Sequence, residues 1–366
     1  MRIKNPQVTL ADEARNGVVE NVRSGFLDWL FRFHVTGDDG ELYSLGGSIL
    51  SLAQEKIDLV SIEWTKGKGT IKQLPGSIYQ LARFPQPGLI KMIKNPQGTL
   101  KIEQTAHSVQ VACGDEFKVE CFDDHTWHFM INTQDGQYRA DLYHRPYGYP
   151  LWYGRKQPSY LTQHSITYGY NWAGDSEGDI WIKGRKIHVK GTGQRERYVA
   201  VDSSAAELGG WEDWGFVTFD EMHTSFYDMR LGKKDLSVYD LKTQRHYPEG
   251  QLTIEHGNWA FMRELDGFVP IDYRISMEVE DGVLMINAKV CNATTWGVTF
   301  KNPDNPVGTL IFDQITGVFY PNDGKPRKLS NGRGVLSIRQ WHQYPNILPR
   351  ELYVDEERGG EKFATL

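Results

Sequence analysis

Apolar and polar residues alternate with a period of two along most of this chain. Residues 275–280 alternate in this way, and residues 283–290 alternate again after Asp281-Gly282. Successive side chains of a β-strand point to opposite faces, so this period is typical of strands that bury one face. An Asp-Gly pair between two alternating runs is a strong short-range signal for a β-hairpin. The sequence therefore predicts a hairpin at Asp281-Gly282.

Turn-forming dipeptides and alternating segments recur along the rest of the chain. Asp-Gly or Asn-Gly pairs stand at 39–40, 135–136, 323–324 and 331–332. The alternation predicts further strands over residues 107–113, 116–122, 127–133 and 137–143. Helical pattern is scarce, with one short turn of helix expected in each of the segments 77–84 and 203–208. This combination excludes a parallel α/β sheet, which needs a crossover helix after each strand, and indicates an all-β barrel or sandwich.

The chain length predicts two packed units rather than one. A chain of 366 residues exceeds the size at which a single hydrophobic core normally stops growing. Small and polar residues at 202–210 interrupt the strand pattern. We therefore predict an N-terminal domain over residues 1–203 and a C-terminal domain over residues 204–366.

Composition excludes several classes of function. The formal net charge of -6 argues against a basic nucleic-acid-binding face. No apolar run approaches the roughly 20 residues of a membrane span, and the N-terminus lacks the apolar segment of a signal peptide. We expect a soluble cytoplasmic protein, and the sequence leaves its oligomeric state open.

Metal, cofactor and nucleophile motifs are missing from the sequence. The three cysteines form no CxxC pair, so neither a disulfide framework nor a zinc site is expected. His125 and His128 would lie on opposite faces of a strand, so they would not share a metal. The sequence contains no GxSxG, P-loop or dinucleotide fingerprint. We expect no metal and no cofactor.

Several spaced segments of the chain form a set of motifs. The first is an acidic residue and Trp, Asp28-Trp29, followed by a hairpin with Asp-Gly. The other segments are Ser165–Tyr170, Ile182–Gly193, Gln194–Tyr198, Gly210–Phe216, His223–Arg230 and Phe312–Gly317. Together these segments resemble the carotenoid 1,2-hydratases (hydroxyneurosporene synthases) and AttH-like proteins, a family that also includes fungal Diels-Alderases. The resemblance implies two lipocalin-like antiparallel β-barrel or sandwich domains in tandem, enclosing an apolar ligand site.

The resemblance also identifies candidate site residues. Glu196 stands where the family has an acidic residue on its active-site strand, whereas Arg197 replaces the His of the hydratases. Tyr198 stands near the family's Trp, and Gln314 replaces a more usual Glu. Catalytic roles are thereby implied for Glu196, Asp213 and Tyr198. Substrate-binding roles are implied for Trp29, Trp211, Trp214, Tyr227, Arg230 and Gln314.

Each of these residues also has an interpretation without catalysis. A carboxylic acid in an apolar pocket can protonate an alkene carbon, and aromatic faces can stabilise the resulting cation. Glu196 could instead form a salt bridge, although Arg195 and Arg197 should point to the opposite face of the strand. Asp213 could serve as a turn carboxylate. Trp211 and Trp214 could be core residues, and Arg230 could brace the two halves.

The sequence thus leaves three classes of function open. The first is a cofactor-independent lyase or isomerase that hydrates, isomerises or cyclises a hydrophobic terpenoid or polyketide-like substrate of secondary metabolism between the two domains. The second is a non-catalytic carrier or sensor of a lipophilic small molecule. The third is a largely structural interaction protein with collapsed barrels.

Overall fold

The computed structural model describes residues 7–19, 24–73, 80–83, 89–154, 156–160, 166–201, 211–229, 233–262, 267–295 and 307–340. Within these ranges the chain forms antiparallel β-sheets with one short helix, so the predicted all-β class is confirmed. No helix in these ranges is long and apolar enough to cross a bilayer.

The elements are as follows, in chain order. The first part of the chain contains α1 (Leu10–Ala14), β1 (Phe26–Gly37), β2 (Leu42–Leu52), β3 (Ile57–Lys66), β4 (Thr70–Gln73), β5 (Gln80–Arg83), β6 (Leu89–Pro96), β7 (Leu100–Gln104), β8 (Ser108–Cys113), β9 (Phe117–Phe122), β10 (Trp127–Asn132), β11 (Tyr138–Pro146), β12 (Leu151–Trp152), β13 (Ser159–Tyr160), β14 (Ile166–Ile182) and β15 (Arg185–Ala200). The second part contains β16 (Trp211–Thr218), β17 (Met222–Met229), β18 (Lys234–Asp240), β19 (Arg245–Tyr247), β20 (Gln251–Met262), β21 (Gly267–Val279), β22 (Gly282–Thr295), β23 (Val307–Pro321), β24 (Arg327–Leu329) and β25 (Arg333–Gln340).

The first sheet curls around an aromatic core. Its main path runs β6-β3-β2-β1-β15-β14-β11-β10-β9-β8-β7 among the described strands. Phe31, Phe33 and Phe129 pack there with ring centroids 4.8–5.9 Å apart. The curl brings β9 onto β2, where a Cβ at Gly47 would lie 2.5 Å from the ring of Phe117. Only glycine fits at this contact between opposite walls.

The first sheet and helix α1 form what we call the first unit. Helix α1 closes the interior of this unit with a buried ion pair. Glu13 accepts a hydrogen bond from Arg195 Nη2 at 2.7 Å, and the two side chains are 1% and 0% exposed. Trp127 Nε1 and the Tyr170 hydroxyl also donate to the Glu13 carboxylate. The pair is stabilised because these neutral donors satisfy the carboxylate in a place that excludes water.

The second sheet, which forms what we call the second unit, includes a hairpin from the first half of the chain. Its main path runs β19-β18-β17-β16-β25-β23-β22-β21-β20-β5-β4 among the described strands. Strand β5 pairs in parallel with β20 along residues 260–262. Two hydrogen bonds hold the chain where it passes from the first sheet to this hairpin. Gly69 N donates to Cys291 O at 2.7 Å, and Asn292 Nδ2 donates to Gly67 O at 2.7 Å.

Most local predictions agree with these elements. Strands β8 to β11 occupy the four segments predicted between residues 107 and 143. The hairpin of β21 and β22 is present, but Val279 pairs with Gly282, so its loop residues are Glu280 and Asp281. Gly282 starts the next strand, where a Cβ would lie 2.2 Å from Tyr320 O.

Two further predictions lie partly or wholly outside the described residues. The turn of helix predicted over 77–84 is wrong for residues 80–83, which form β5 because β20 offers them a parallel partner. The boundary at 203/204 and the turn of helix at 203–208 lie outside the described residues. The division into two domains at this point stays a prediction. One observation bears on it: β4 and β5 precede this point in the chain but belong to the second sheet.

The buried ion pair leads to a stability prediction. We expect Glu13→Gln to lower the free energy of unfolding by about 3–5 kcal/mol, because the Arg195 guanidinium would remain buried without its counter-charge. Urea denaturation followed by tryptophan fluorescence measures this loss. Glu177→Gln is the matched control, since Glu177 pairs with Lys190 at 3.3 Å on the surface and should cost less than about 1 kcal/mol. Equal losses in the two variants would contradict the role given to Glu13.

The crossing hairpin leads to a second prediction. Residues 204–366 expressed alone should aggregate, because β20 would expose backbone groups that β5 otherwise pairs. The same fragment co-expressed with residues 1–203 should be recovered as a soluble complex. Size-exclusion chromatography of both preparations measures the outcome. A monodisperse, folded 204–366 fragment on its own would refute the dependence on the hairpin.

Candidate active site between the two units

Strand β15 sends its charged side chains in two opposite directions. Arg195 and Arg197 point into the first unit, where Arg195 pairs with Glu13 and the Arg197 guanidinium stacks 3.7 Å above the ring of Trp29. Glu196, between them, points to the outer face of the same sheet. The prediction that the two arginines face away from Glu196 is therefore confirmed. Neither arginine is placed to form the salt bridge that was the alternative to catalysis.

A chain of hydrogen bonds runs along this outer face and ends at Glu196. Gln194 Nε2 donates to Asn171 Oδ1 at 2.9 Å, and Asn171 Nδ2 donates to the Tyr153 hydroxyl. The Tyr153 hydroxyl donates to Glu196 Oε1 at 2.5 Å. All three bonds point the same way, so each residue fixes the orientation of the next. The Glu196 carboxylate is held in one position as an acceptor.

A second carboxyl group lies beside Glu196 on the neighbouring strand. In the register of β1 and β15, Asp28 opposes Tyr198 and Leu30 opposes Glu196. Asp28 and Glu196 are therefore diagonal neighbours on one face, about 7 Å apart at Cα. Burial raises the pKa of Asp28 well above its usual value, and the negative charge of Glu196 raises this pKa further. Asp28 therefore holds its proton to a higher pH than a free aspartic acid does.

Aromatic residues of both units surround the Glu196 side of this face. Leu30 and Tyr153 of the first unit pack in one cluster with Trp214 and Tyr227 of the second. The ring of Tyr153 lies edge-on to that of Tyr227 at 5.4 Å and to that of Tyr198 at 5.8 Å. The predicted residues Glu196, Tyr198, Trp214 and Tyr227 thus come together at the interface of the two units.

Arg32 brings a positive charge to the same face. It lies two residues after Leu30 on β1 and opposes Gln194 on β15. Its guanidinium lies 5.6 Å from the ring centroid of Trp214, so it contacts the second unit. The site therefore combines two carboxyl groups, a guanidinium, a tyrosine hydroxyl and an aromatic wall.

Asp213 lies in a different place, inside the second unit. Its carboxylate is fully buried and its Oδ2 lies 2.8 Å from His256 Nε2 of β20. On β16 the neighbouring residue Trp214 points to the interface instead, as alternation requires. Asp213 and Glu196 therefore do not share a site, and Asp213 connects β16 to β20.

Gln314 is also remote from Glu196. It is exposed on β23 and lines a cavity of about 620 Å³ in the second unit, together with His256 and Tyr273. Its φ of 47° marks an irregular position in the strand. Trp29 lies in the core of the first unit beneath Arg197 and does not reach the interface. The side chain of Trp211 and the whole of Arg230 lie outside the described residues.

The described interior of the first unit is packed with aromatic and aliphatic side chains. A cavity among Tyr43, Trp64 and Tyr138 holds about 30 Å³, room for one or two water molecules. The interface, rather than this interior, collects the chemically useful groups.

Four residues of the site have no catalytic or binding role in the sequence-based prediction. They are Asp28, which belongs only to a motif there, and Arg32, Tyr153 and Asn171. The alternation of Asp28, Leu30 and Arg32 with the apolar Trp29, Phe31 and Phe33 does carry a signal, because it places both charges on one face. Nothing in the sequence around Tyr153 indicates that its hydroxyl reaches Glu196, which is 43 positions away.

The described residues hold no group of three or more His, Cys, Asp or Glu side chains that could bind a metal ion. No model of a protein family and no curated protein sequence matches the chain.

Comparison with solved structures gives a consistent fold. A putative AttH protein from Nitrosomonas europaea is 12% identical, with a TM-score of 0.59 over 93% of this chain and 98% of that one. Kievitone hydratase from Nectria haematococca is 10% identical, with a TM-score of 0.53 over 93% and 95% of the two chains. CghA is 8% identical, with a TM-score of 0.55 over 93% and 95%. The chain shares the all-β fold of these proteins over most of its length, and the resemblance noted in its sequence is confirmed at the level of the fold.

Proposed function

We propose that this chain is a lyase or isomerase whose own carboxyl groups transfer protons to and from a small molecule bound between the two units. Hydration, isomerisation and cyclisation of an alkene all fall within this chemistry. The observation that supports the proposal most directly is the pair Asp28 and Glu196, buried side by side in different surroundings. Adjacent acids that differ in protonation provide an acid and a base at one pH.

The two carboxyl groups take different roles in a hydration. Asp28 gives its proton to one carbon of the double bond, while the oxygen of a water molecule bonds to the other carbon. The proton that this water releases goes to the Glu196 carboxylate, so all atoms and charges balance. Transfer of a proton from Glu196 back to Asp28 through water restores the starting state. An isomerisation uses the same first step and then removes a proton from a different carbon.

The neighbouring side chains support these steps. Tyr153 and the hydrogen bonds behind it hold Glu196 in place, which reduces the reorganisation needed during the reaction. The faces of Tyr198, Trp214 and Tyr227 can stabilise positive charge that develops on carbon. The fold shared with a hydratase also supports the proposal.

Substitution of the two acids tests the proposal. Native mass spectrometry of freshly purified protein would identify a co-purifying small molecule, which then serves as the substrate. We expect Asp28→Asn and Glu196→Gln each to lower its conversion 10²- to 10⁴-fold, the usual contribution of a general acid or base. Chromatography of the products measures the rate.

Asp213→Asn is the matched control, because it removes a buried carboxylate from the second unit. This variant should retain conversion within a few-fold of the unchanged protein. If only Asp213→Asn lost activity, the reaction site would lie in the second unit rather than at the interface. A ligand that the unchanged protein binds but never converts would support the alternative of a non-catalytic carrier.

The raised pKa of Asp28 predicts a pH dependence of stability with a definite sign. An acid whose pKa is higher in the folded state stabilises the fold at low pH, and this contribution is lost as the pH rises from the unfolded value of 3.8 through the folded value. Relative to the unchanged protein, the Asp28→Asn variant should therefore be more stable at pH 8 than at pH 4. Urea denaturation at both pH values measures the difference. A variant that is less stable at pH 8 than at pH 4, relative to the unchanged protein, would show that Asp28 is ionised in a structural ion pair.

A further inference from the structure

Several polar atoms at the interface are buried without a hydrogen-bond partner in the described part of the chain. They are Asp28 Oδ1, Ser48 Oγ, Thr192 Oγ1 and Gln194 Oε1. Ser48 and Thr192 are 0% exposed and Gln194 is 1% exposed, so bulk water does not satisfy them. Buried polar groups in folded proteins are nearly always paired, and each exception calls for an explanation.

All four atoms belong to residues on one face of the first sheet. Leu30 opposes Ser48 on β2 and Glu196 on β15, so Ser48 lies on the same side as Glu196. Arg32 opposes Gln194, and His34 opposes Thr192. Alternate residues of a strand lie about 7 Å apart and neighbouring strands about 5 Å apart, so this patch measures about 20 by 10 Å. These dimensions suit a molecule of two or three fused rings.

The patch is interrupted by apolar contacts with the second unit. Leu30 packs with Trp214 and Tyr227, and Ala173 packs with Phe216. A molecule bound against this patch would meet apolar and aromatic surface together with hydroxyl, amide and carboxyl groups. The guanidinium of Arg32, which can only donate, adds a donor for a carbonyl oxygen or a hydroxyl oxygen.

We propose that the interface site binds an oxygenated amphiphile, a molecule with a ring or polyene body that carries at least two hydroxyl or carbonyl groups. This inference rests on the location given to the site in the proposed function. The oxygen atoms of such a ligand would pair with Ser48, Thr192, Gln194 and Arg32 and would orient the body toward Asp28 and Glu196. A pure hydrocarbon would leave these atoms unpaired. The expectation of a purely apolar pocket is thereby replaced by one of a pocket with a polar side.

The test uses two probes of the same shape. The diol 2,7-dihydroxynaphthalene and the hydrocarbon 2,7-dimethylnaphthalene differ only in whether hydroxyl or methyl groups are attached. A site built to hydrogen-bond hydroxyl groups discriminates strongly against an analogue that lacks them. We expect the full-length protein to bind the diol at least tenfold more tightly in isothermal titration calorimetry.

Two variants connect this preference to the patch. Ser48→Ala and Thr192→Val remove hydroxyl groups that have no partner in the described part of the protein. Both should keep or raise the melting temperature, because an unsatisfied buried group is removed. Each should also reduce the preference for the diol at least threefold. A merely structural hydroxyl would show the opposite pattern.

Ser51→Ala is the matched control on the same strand. Ser51 points to the other face of β2 and donates to Asp58 Oδ1 at 2.6 Å, so its loss should lower the melting temperature and leave the preference unchanged. Equal binding of the two probes, or binding of neither, would overturn the inference. So would a full preference that survives in both Ser48→Ala and Thr192→Val.

These outcomes are independent of the proposed reaction. The naphthalene probes are not expected to react, so their binding reports only on recognition. Loss of conversion in Asp28→Asn and Glu196→Gln reports only on chemistry. Failure of one leaves the other standing.

Discussion

The second half of strand β15 is buried on both of its faces, and the rest of the molecule is arranged around that constraint. An antiparallel strand commonly leaves one face to water, but here each side chain from Gly193 to Arg197 is buried. Charged residues in such a strand need a partner on the side to which they point. Arg195 finds Glu13 of the terminal helix, and Glu196 finds Tyr153. Opposite charges next to each other in sequence are thus kept apart by the pleat of the strand.

This separation determines where chemistry can occur. Arg195 pairs with Glu13 in the first unit, and Arg197 stacks on Trp29 and donates to the backbone oxygen of Asp28, so neither arginine holds Glu196 in a salt bridge. At the interface, burial and the charge of Glu196 favour the protonated form of Asp28, because both raise its pKa. The core of the first unit is packed with aromatic side chains, and Glu196 and Arg32 lie at the interface instead.

The sequence contains the fold class and much of the local structure. Alternation alone places β8 to β11 and the hairpin of β21 and β22, because a one-residue error would reverse every buried side chain. It also predicts correctly that Arg195 and Arg197 face away from Glu196. These conclusions depend on the pleat, which is a local property of the chain.

Contacts between distant segments are not visible in this way. Glu196 was identified through the resemblance, whereas its partner Tyr153 lies on a segment without regular alternation. Asp213 and Glu196 are both acidic residues with aromatic neighbours in the sequence. Asp213 nevertheless faces the interior of the second unit, whereas Glu196 faces the interface. Which face of a strand becomes an interface depends on how two sheets pack, and no pattern within a single strand encodes this. The parallel partner of β5 is another long-range choice of the same kind.

The hairpin of β4 and β5 sets an order for biosynthesis. Ribosomes add about 5–20 residues per second, so β20 emerges many seconds after the hairpin that it pairs with. During that interval β4 and β5 have been synthesised but lack their partner strand β20. The second sheet cannot be completed until its last strands have been synthesised. The nascent chain thus carries unpaired strand edges, which are open to mispairing, over most of its synthesis.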